Sequence, residues 1–520
     1  MSNPRVVVIG TGAGGLAACV YLAKEGFDVL ALEQARKPGG LLGGFRREGY
    51  GFDPGVHYVG SCGPGGIVRS VLDPIGLDTD ALFTELDPTG FDAFRFPDLE
   101  VRMPRGLEAF REQLARAFPA SDLEICDFLS MVRGVRDLMH LGVGDREPGM
   151  VASALLNLPS VLRWSRSSYA ELLDHLVGDP RLRAVLSAPI GDDGLPPSRA
   201  SAVVVLELLA HYADGAFFPR GGSATLRDAF VDRARTLGVE IRTEAKVVKL
   251  HANARRVVAV ELEGGERIEA DYVVSDVDPR VTFDWIEGGP SAPRRVMKKL
   301  GEVTSSLAPF LLFLGMKRDI RERKMGRFNV WSYPSWDVEA AYAPQLRGEL
   351  PDDPALFLSP GSLKDDSGAL APKGCSTLEV LTFVPYQRFA PFEAAHAASR
   401  GGRYEDLKKR IEEQMLAALD ARFPGLVGDV EVCESASPLA FRSWVGAVDG
   451  GAYGPASTPH FWGPFRFESK TWLPNLFLAG SGVLGHGVAP CLLSGKMAAA
   501  RVDAAVKKIA EPGWGSRILG

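Results

Sequence analysis

The sequence has no CxxC pair, no HExxH and no Cys/His cluster, so neither a redox dithiol nor a zinc site has a local framework. The six cysteines (Cys19, Cys62, Cys126, Cys375, Cys433, Cys491) are scattered, which fits reduced and mostly buried thiols in a cytoplasmic protein. Charge of one sign is also missing in any excess. A net charge of −6 gives no electrostatic ground for a nucleic-acid partner. Long apolar runs are absent too. The most apolar start, RVVVIGTGAGGLAACVYLA, is broken by glycines and lacks the basic lead and cleavage site of a secretory signal. With 46% apolar and 24% charged residues over 520 positions, the chain has ordinary globular composition and room for two to four structural units.

What is present begins at residue 5. RVVVI is a short β-branched run typical of a buried parallel strand, and GTGAGG after it sets Gly10, Gly12 and Gly15 in a GxGxxG pattern. LAACVYLAKEG reads as a helix with small residues toward the sheet, and FDVLALE as a second strand ending in an acid. Each part has a physical task in binding a dinucleotide. Gly10 permits the tight turn, Gly12 lets a pyrophosphate approach the backbone, and Gly15 allows close helix–strand packing. The N–H groups of Ala13, Gly14 and their neighbours face the phosphates at the helix start. Glu33, 18 residues past Gly15, is placed to bind both ribose hydroxyls, with Gln34 beside it.

After Glu33 the chain does not continue as a plain NAD domain. It runs QARKPGGLLGGFRREGYGFDPGVHYVG, with glycine pairs at Gly39–Gly40 and Gly43–Gly44. Here it resembles the flavin-binding superfamily of amine oxidases, phytoene desaturases, carotenoid isomerases and retinol saturases, and most of all the isomerase and saturase branch. The resemblance implies FAD as cofactor and an α/β fold: a Rossmann-like FAD-binding domain of glutathione-reductase/amine-oxidase type with a discontinuous α+β substrate domain. It implies that Gly39, Gly40, Gly55 and His57 lie along the flavin. It implies that Ala245, Lys246 and Val247, in the block 219–276, are adenine neighbours. It also implies that NLFLAGSGVLGHGVAP is the second flavin-contacting segment, through Gly480, Ser481, Gly487, Val488 and Ala489. GSGVLG is literally another GxGxxG, but no second strand and acid follow it, so an NADPH site is not expected there.

The same likeness implies segments at 1–78, 216–282 and 463–520 for the FAD domain, and at 79–215 and 283–462 for the substrate domain. It implies an oxidoreductase acting on carbon–carbon bonds of an apolar polyene or long lipid, by desaturation, saturation or isomerisation, with an external electron acceptor or donor. His57, Tyr58 and Arg442 are the candidate residues near the chemistry. Two alternatives stand beside this reading. One is an amine-oxidase-like flavoenzyme using Lys470 and Trp472. The other is a flavin-stabilised lipid-binding protein without turnover. The helical stretch GMVASALLNLPSVLRWSRSSYAELLDHL mixes leucines with Arg163 and Arg166, and reads either as a core helix or as a peripheral contact with a membrane surface.

Overall fold

The structure is a computed structural model that describes residues 3–142, 148–393 and 401–510. The end of the expected 463–520 segment, 511–520, lies outside the described residues. Strands β1 (Arg5–Ile9), β2 (Asp28–Leu32), β3 (Glu240–Arg242), β4 (Tyr272–Ser275) and β5 (Leu476–Leu478) form a sheet in the order β3-β2-β1-β4-β5. Every pair is parallel, and Val8 sits between Ala31 and Val274. A parallel sheet is covered on both faces, so its strands are apolar throughout rather than alternating. Val6, Val7 and Val8 are all fully buried. Helices α1 (Ala13–Lys24), α2 (Ser223–Thr236) and α3 (Val488–Ala510) pack on one another, with α1 central.

Against the other face lies an antiparallel meander, Val247–Ala252, Val257–Leu262 and Arg267–Glu269, with Ile286–Gly288 parallel at its edge. The turn after Val257–Leu262 uses Gly264 and Gly265 at φ +106° and +89°, a conformation that costs glycine least. A seven-stranded mixed sheet forms the second layer system. Its order is Val430–Ala436, Ala308–Met316, Ser376–Val384, Leu356–Ser359, Asn329–Ser332, Asp92–Phe96 and Leu99–Met103. Helices Asp122–Gly142, Pro148–Arg163 and Ala202–Tyr212 contribute to the largest apolar cluster beside it.

The cysteines depart from expectation. Cys19 and Cys62 are buried, Cys375 and Cys491 half-buried, and Cys126 and Cys433 exposed. Scattered position in sequence does not fix burial; Cys126 lies on the outer face of its helix. Among the described residues no group of three or more His, Cys, Asp or Glu can hold a metal ion. No helix among them is long and apolar enough to cross a membrane.

Candidate cofactor and active site

The first turn of α1 is the organising feature. Gly10, at φ +88°, turns the chain off β1 while its N–H donates to the Leu32 carbonyl at 2.9 Å. Gly12 stands at the helix N-cap without a capping side chain, so the N–H groups of the first turn are not taken by a local cap. Glu33 follows β2 directly and is 7% exposed. Its Oε2 accepts from the Thr11 N–H at 3.1 Å and the Thr11 hydroxyl at 2.5 Å, and its Oε1 accepts from the Ala35 N–H at 2.9 Å. Thr11 also accepts from the Gly39 N–H at 3.3 Å, so Gly39–Gly40 is folded back over the helix start. A Cβ on Gly40 would lie 3.5 Å from the Gly12 Cα, and one on Gly39 would lie 2.5 Å from Arg227 Cδ.

The other candidates fall into two groups around this turn. On the β2 side, the Ala245 N–H donates to the Glu33 carbonyl at 2.8 Å, which brings the meander's entry to the acid. Val247 is buried within the meander's core, and Lys246 pairs with Glu263 at 2.7 Å. Gln34, Lys246 and Arg442 line one open cleft of about 990 Å³, together with Phe45, Glu393 and Trp444. Arg442 is ion-paired to Glu393 there. The cleft lining does not include His57 or Tyr58, so the structure separates Arg442 from the two residues with which sequence reasoning grouped it. The reason is local: helix Pro438–Val445 aims its Arg442 at Glu393.

On the β5 side, Gly480 leaves the strand at φ +82°, and its N–H donates to the Ser494 hydroxyl at 2.7 Å. The Ser481 carbonyl accepts from the fully buried Arg466 at 2.5 Å. Gly487 (φ +87°) leads into Val488 and Ala489 at the start of α3. Gly55 packs over Leu41: a Cβ there would lie 2.7 Å from Leu41 Cβ. His57 and Tyr58 then turn inward. Burial, helped by Lys364, pushes the His57 imidazole down to about 3, so it is neutral, and its Nδ1 has no hydrogen-bond partner among the described residues.

Tyr58 opens onto a polar aromatic cluster that the sequence did not announce. Its hydroxyl donates to Asp192 at 2.7 Å, and its ring stacks on Tyr212 at 4.4 Å. The Tyr212 and Tyr453 hydroxyls also face Asp192, where they oppose the effect of burial on its carboxyl. Burial pushes the carboxyls of Asp92, Asp192 and Asp193 up to about 7. His486, held neutral at about 3 by burial and by Arg466, lies 4.8 Å from the Tyr453 ring and 3.7 Å from Asp193. Beneath His57 is a buried lysine, Lys364, which donates to the His57 carbonyl, to Asn329 at 2.8 Å and to Ser359 at 2.6 Å. Lys470, by contrast, is exposed, and Trp472 packs on Phe283 with its indole N–H on the Pro290 carbonyl. Those two therefore do not form the amine-oxidase pair considered from sequence.

The donor set fits an adenine dinucleotide: a glycine turn at a helix start, a carboxylate at the end of β2, and a second glycine turn from β5. The deciding comparison is that the profile of the flavin containing amine oxidoreductase family matches residues 13–356, over half of the chain. The chain belongs to this family. FAD is its cofactor, and it is an FAD-dependent oxidoreductase. Within the family, the chain is similar to the all-trans-retinol 13,14-reductase of Rattus norvegicus. The two are 29% identical over 514 residues, spanning 93% of this chain and 83% of the relative. It is also similar to the zeta-carotene-forming phytoene desaturase of Myxococcus xanthus. That identity is 28% over 514 residues, spanning 96% of this chain and 93% of the relative. Among solved structures, an oxidoreductase from Methanosarcina mazei superposes with a TM-score of 0.65 at 16% identity, covering 95% of this chain and 99% of that one. A putrescine oxidase variant gives 0.64 at 16% identity, with 97% and 99% covered. The flavoenzyme fold is thus shared with oxidases of quite different names.

Proposed function

We propose that this flavoenzyme acts on carbon–carbon bonds of an apolar conjugated polyene of the retinoid or carotenoid class. The observation that carries this is the likeness along nearly the whole chain to a retinol reductase and a phytoene desaturase. The wall beyond His57 supports it. Tyr58, Tyr212, Phe357 and Trp331 are stacked or tilted against one another at 4.4–6.3 Å, a buried aromatic cluster beside His57 of the kind that packs on a planar polyene. When bound, FAD supplies the electron or hydride chemistry, and the chain supplies orientation and an enclosed site. By this reading Glu33 and Gln34 hold the ribose, the α1 turn holds the pyrophosphate, and Arg442 and Lys246 border the adenosine end. Gly55, His57 and the β5–α3 turn border the flavin ring. The neutral imidazoles of His57 and His486 place no full charge against an apolar substrate.

The test is anaerobic incubation of the yellow holoprotein with a lipid extract of its host or with a defined polyene, followed by mass analysis. A gain or loss of two hydrogens, or a changed double-bond geometry at constant mass, supports the reading. Flavin bleaching by amines and by no polyene would overturn it in favour of amine oxidation. Reversible polyene binding with neither product nor flavin change would leave a carrier.

An apolar substrate dissolves in membranes, and we propose that the protein, cytoplasmic in location, rests on a lipid surface through helix Pro148–Arg163. Leu155, Leu156 and Leu162 on that helix, and Leu123 on its packing partner, are 59–81% exposed, while Ala154 and Val161 are buried on the inner side. Arg163 stands at the helix end, and Arg166, also exposed, lays its guanidinium 3.7 Å over the Phe465 ring. Replacing the three leucines by serine is expected to weaken co-sedimentation with phosphatidylserine vesicles by at least about tenfold, since each exposed leucine that enters the acyl boundary contributes on the order of 1 kcal/mol. Unchanged co-sedimentation would sink the proposal and leave the helix as an ordinary two-faced cover of its own core.

A further inference from the structure

We propose that Asp276 is a further FAD-binding residue, and that it carries its proton when the cofactor is seated. The inference rests on FAD binding alone and is independent of which substrate the enzyme takes. Asp276 is the first residue past β4, and its N–H donates to the Ile9 carbonyl at 2.8 Å, which fixes it directly over the glycine turn. Its carboxyl faces the N–H groups of Gly12 and Gly15, two of the donors at the α1 start, which favour its charged form against the larger effect of burial. A Cβ on Gly12 would stand 2.7 Å from its Oδ2, and one on Gly480 would stand 2.5 Å from its Oδ1. A Cβ on Gly14 would run into the same carboxyl and lie 2.8 Å from the Gly480 N. The glycines of both flavin-facing turns therefore close around this one side chain. Gly12 and Gly14 are small for Asp276 as well as for the dinucleotide.

The charge balance at this point is unfavourable to a second anion. Facing Asp276 are Glu33 from the end of β2 and the thiols of Cys19 on α1 and Cys491 on α3, both pushed up by burial and by Asp276 itself. Two residues along, Asp278 is neutralised by Arg280 at 2.7 Å. The groups facing the Asp276 carboxyl thus bring no cation. Burial, with a contribution from Glu33, already holds the Asp276 carboxyl up to about 7, although part of the residue still meets solvent. A seated pyrophosphate covers the cradle and adds two negative charges at the same helix start, and both effects favour the neutral acid further. A neutral carboxyl keeps an oxygen for the glycine N–H groups and gains an O–H to donate toward a phosphate oxygen. FAD binding above neutral pH then takes up one proton, and affinity falls as pH rises.

The experiment dilutes holoprotein between about pH 6 and about pH 9 and reads released FAD by its fluorescence. Wild-type Kd is expected to rise close to tenfold per pH unit above about pH 7, the slope of one linked proton. Asp276→Asn, which keeps the acceptor and a donor without a charge, is expected to be flat over the range and at least tenfold tighter than wild type at about pH 9. FAD has no group titrating in this interval, and His57, His211 and His486 are neutral throughout it. Asp92, Asp192, Asp193 and Lys364 do titrate within it, so the slope that the Asn variant loses, and not the wild-type slope alone, is the proton assigned to Asp276. Calorimetry of FAD binding to the full-length chain at about pH 8, in two buffers of different ionisation heat, is expected to show uptake of about one proton by wild type. A flat wild-type profile, or no proton uptake, would overturn the proposal whether or not the variant folds. So would an Asn variant that keeps the wild-type slope; if it does not fold, Asp276→Ser is read in the same way.

Discussion

Lys364→Met is expected to lower stability by roughly 3–5 kcal/mol at about pH 7, where the ammonium, lowered by burial to about 8, is still charged; this is the cost of stripping the partner from buried charges. Lys364 is 0% exposed, and its ammonium faces Glu379, Asp53 and Asp92 as well as its three hydrogen-bond acceptors. Both Glu379 oxygens and Asp53 Oδ2 have no hydrogen-bond partner among the described residues, so the lysine is what balances them. The pH dependence has a definite sign. Burial pushes the carboxyls of Glu379, Asp53 and Asp92 up, while Lys364 pulls each of them down. Without the cation their folded-state pKa values rise further above the unfolded values. The folded variant then retains protons that the unfolded chain releases, and its stability is lost as pH rises through those raised values. Urea midpoints should therefore converge with wild type near about pH 5 and separate most near about pH 7. A variant with the wild-type midpoint there would show that the cluster needs no cation. Because Lys364 also holds the His57 carbonyl, the variant is expected to retain FAD less well.

Gly495→Val is expected to be the most damaging change in the cofactor half, at about 3 kcal/mol or more, with colourless protein on purification. A Cβ on Gly495 would run into the Gly14 carbonyl and approach Ala18 N at 2.9 Å and Ala17 Cβ at 3.0 Å. These are backbone atoms and a methyl-sized side chain, with no flexible end to move aside. Overpacking of this kind forces whole elements apart. The element that must move is α1, whose first turn holds the phosphates on the proposed reading. Gly301→Ala is the matching control: a Cβ there meets nothing within 4 Å in helix Arg294–Glu302, and alanine is expected to be neutral or stabilising by up to about 1 kcal/mol. Urea midpoints and bound FAD per chain decide both cases, and a yellow Gly495→Val protein of wild-type midpoint would refute the close-packing argument.

The contrast between these residues and Glu33 shows what a sequence exposes. RVVVI, GTGAGG and Glu33 are contiguous, and strand, turn, helix and acid act on one another within 30 residues. Their physics is local, so the fold class was legible. Lys364 sits in SLKDDSG, which reads as a solvated loop. Its burial is created by Asp53 and Asp92, some three hundred residues earlier, and by Glu379 on the long central strand. Asp192 gains Tyr58, Tyr212 and Tyr453 only through tertiary packing. Asp276 closes the block 219–276 one residue past β4, but nothing in DYVVSDVD says that its side chain enters the glycine turn. Arg442 shows the reverse: a suggestive neighbourhood in sequence, and a helix that pairs it with Glu393 in a cleft that His57 and Tyr58 do not line.

The order in which the cofactor sheet is built has a bearing on synthesis in the cell. β1 to β4 are complete by residue 275, but the free edge of β4 is covered only by β5, and α1, already packed on α2, is closed on its other side by α3. A nascent chain therefore carries an open parallel edge through some two hundred further residues before β5 and α3 can close it. Products truncated before residue 476 would keep the glycine fingerprint and still lack half of the pocket around it. The glycine turns of α1 and of β5 can enclose a cofactor together only after β5 and α3 have docked, so bound flavin per chain measures the fraction of molecules in which that docking is complete.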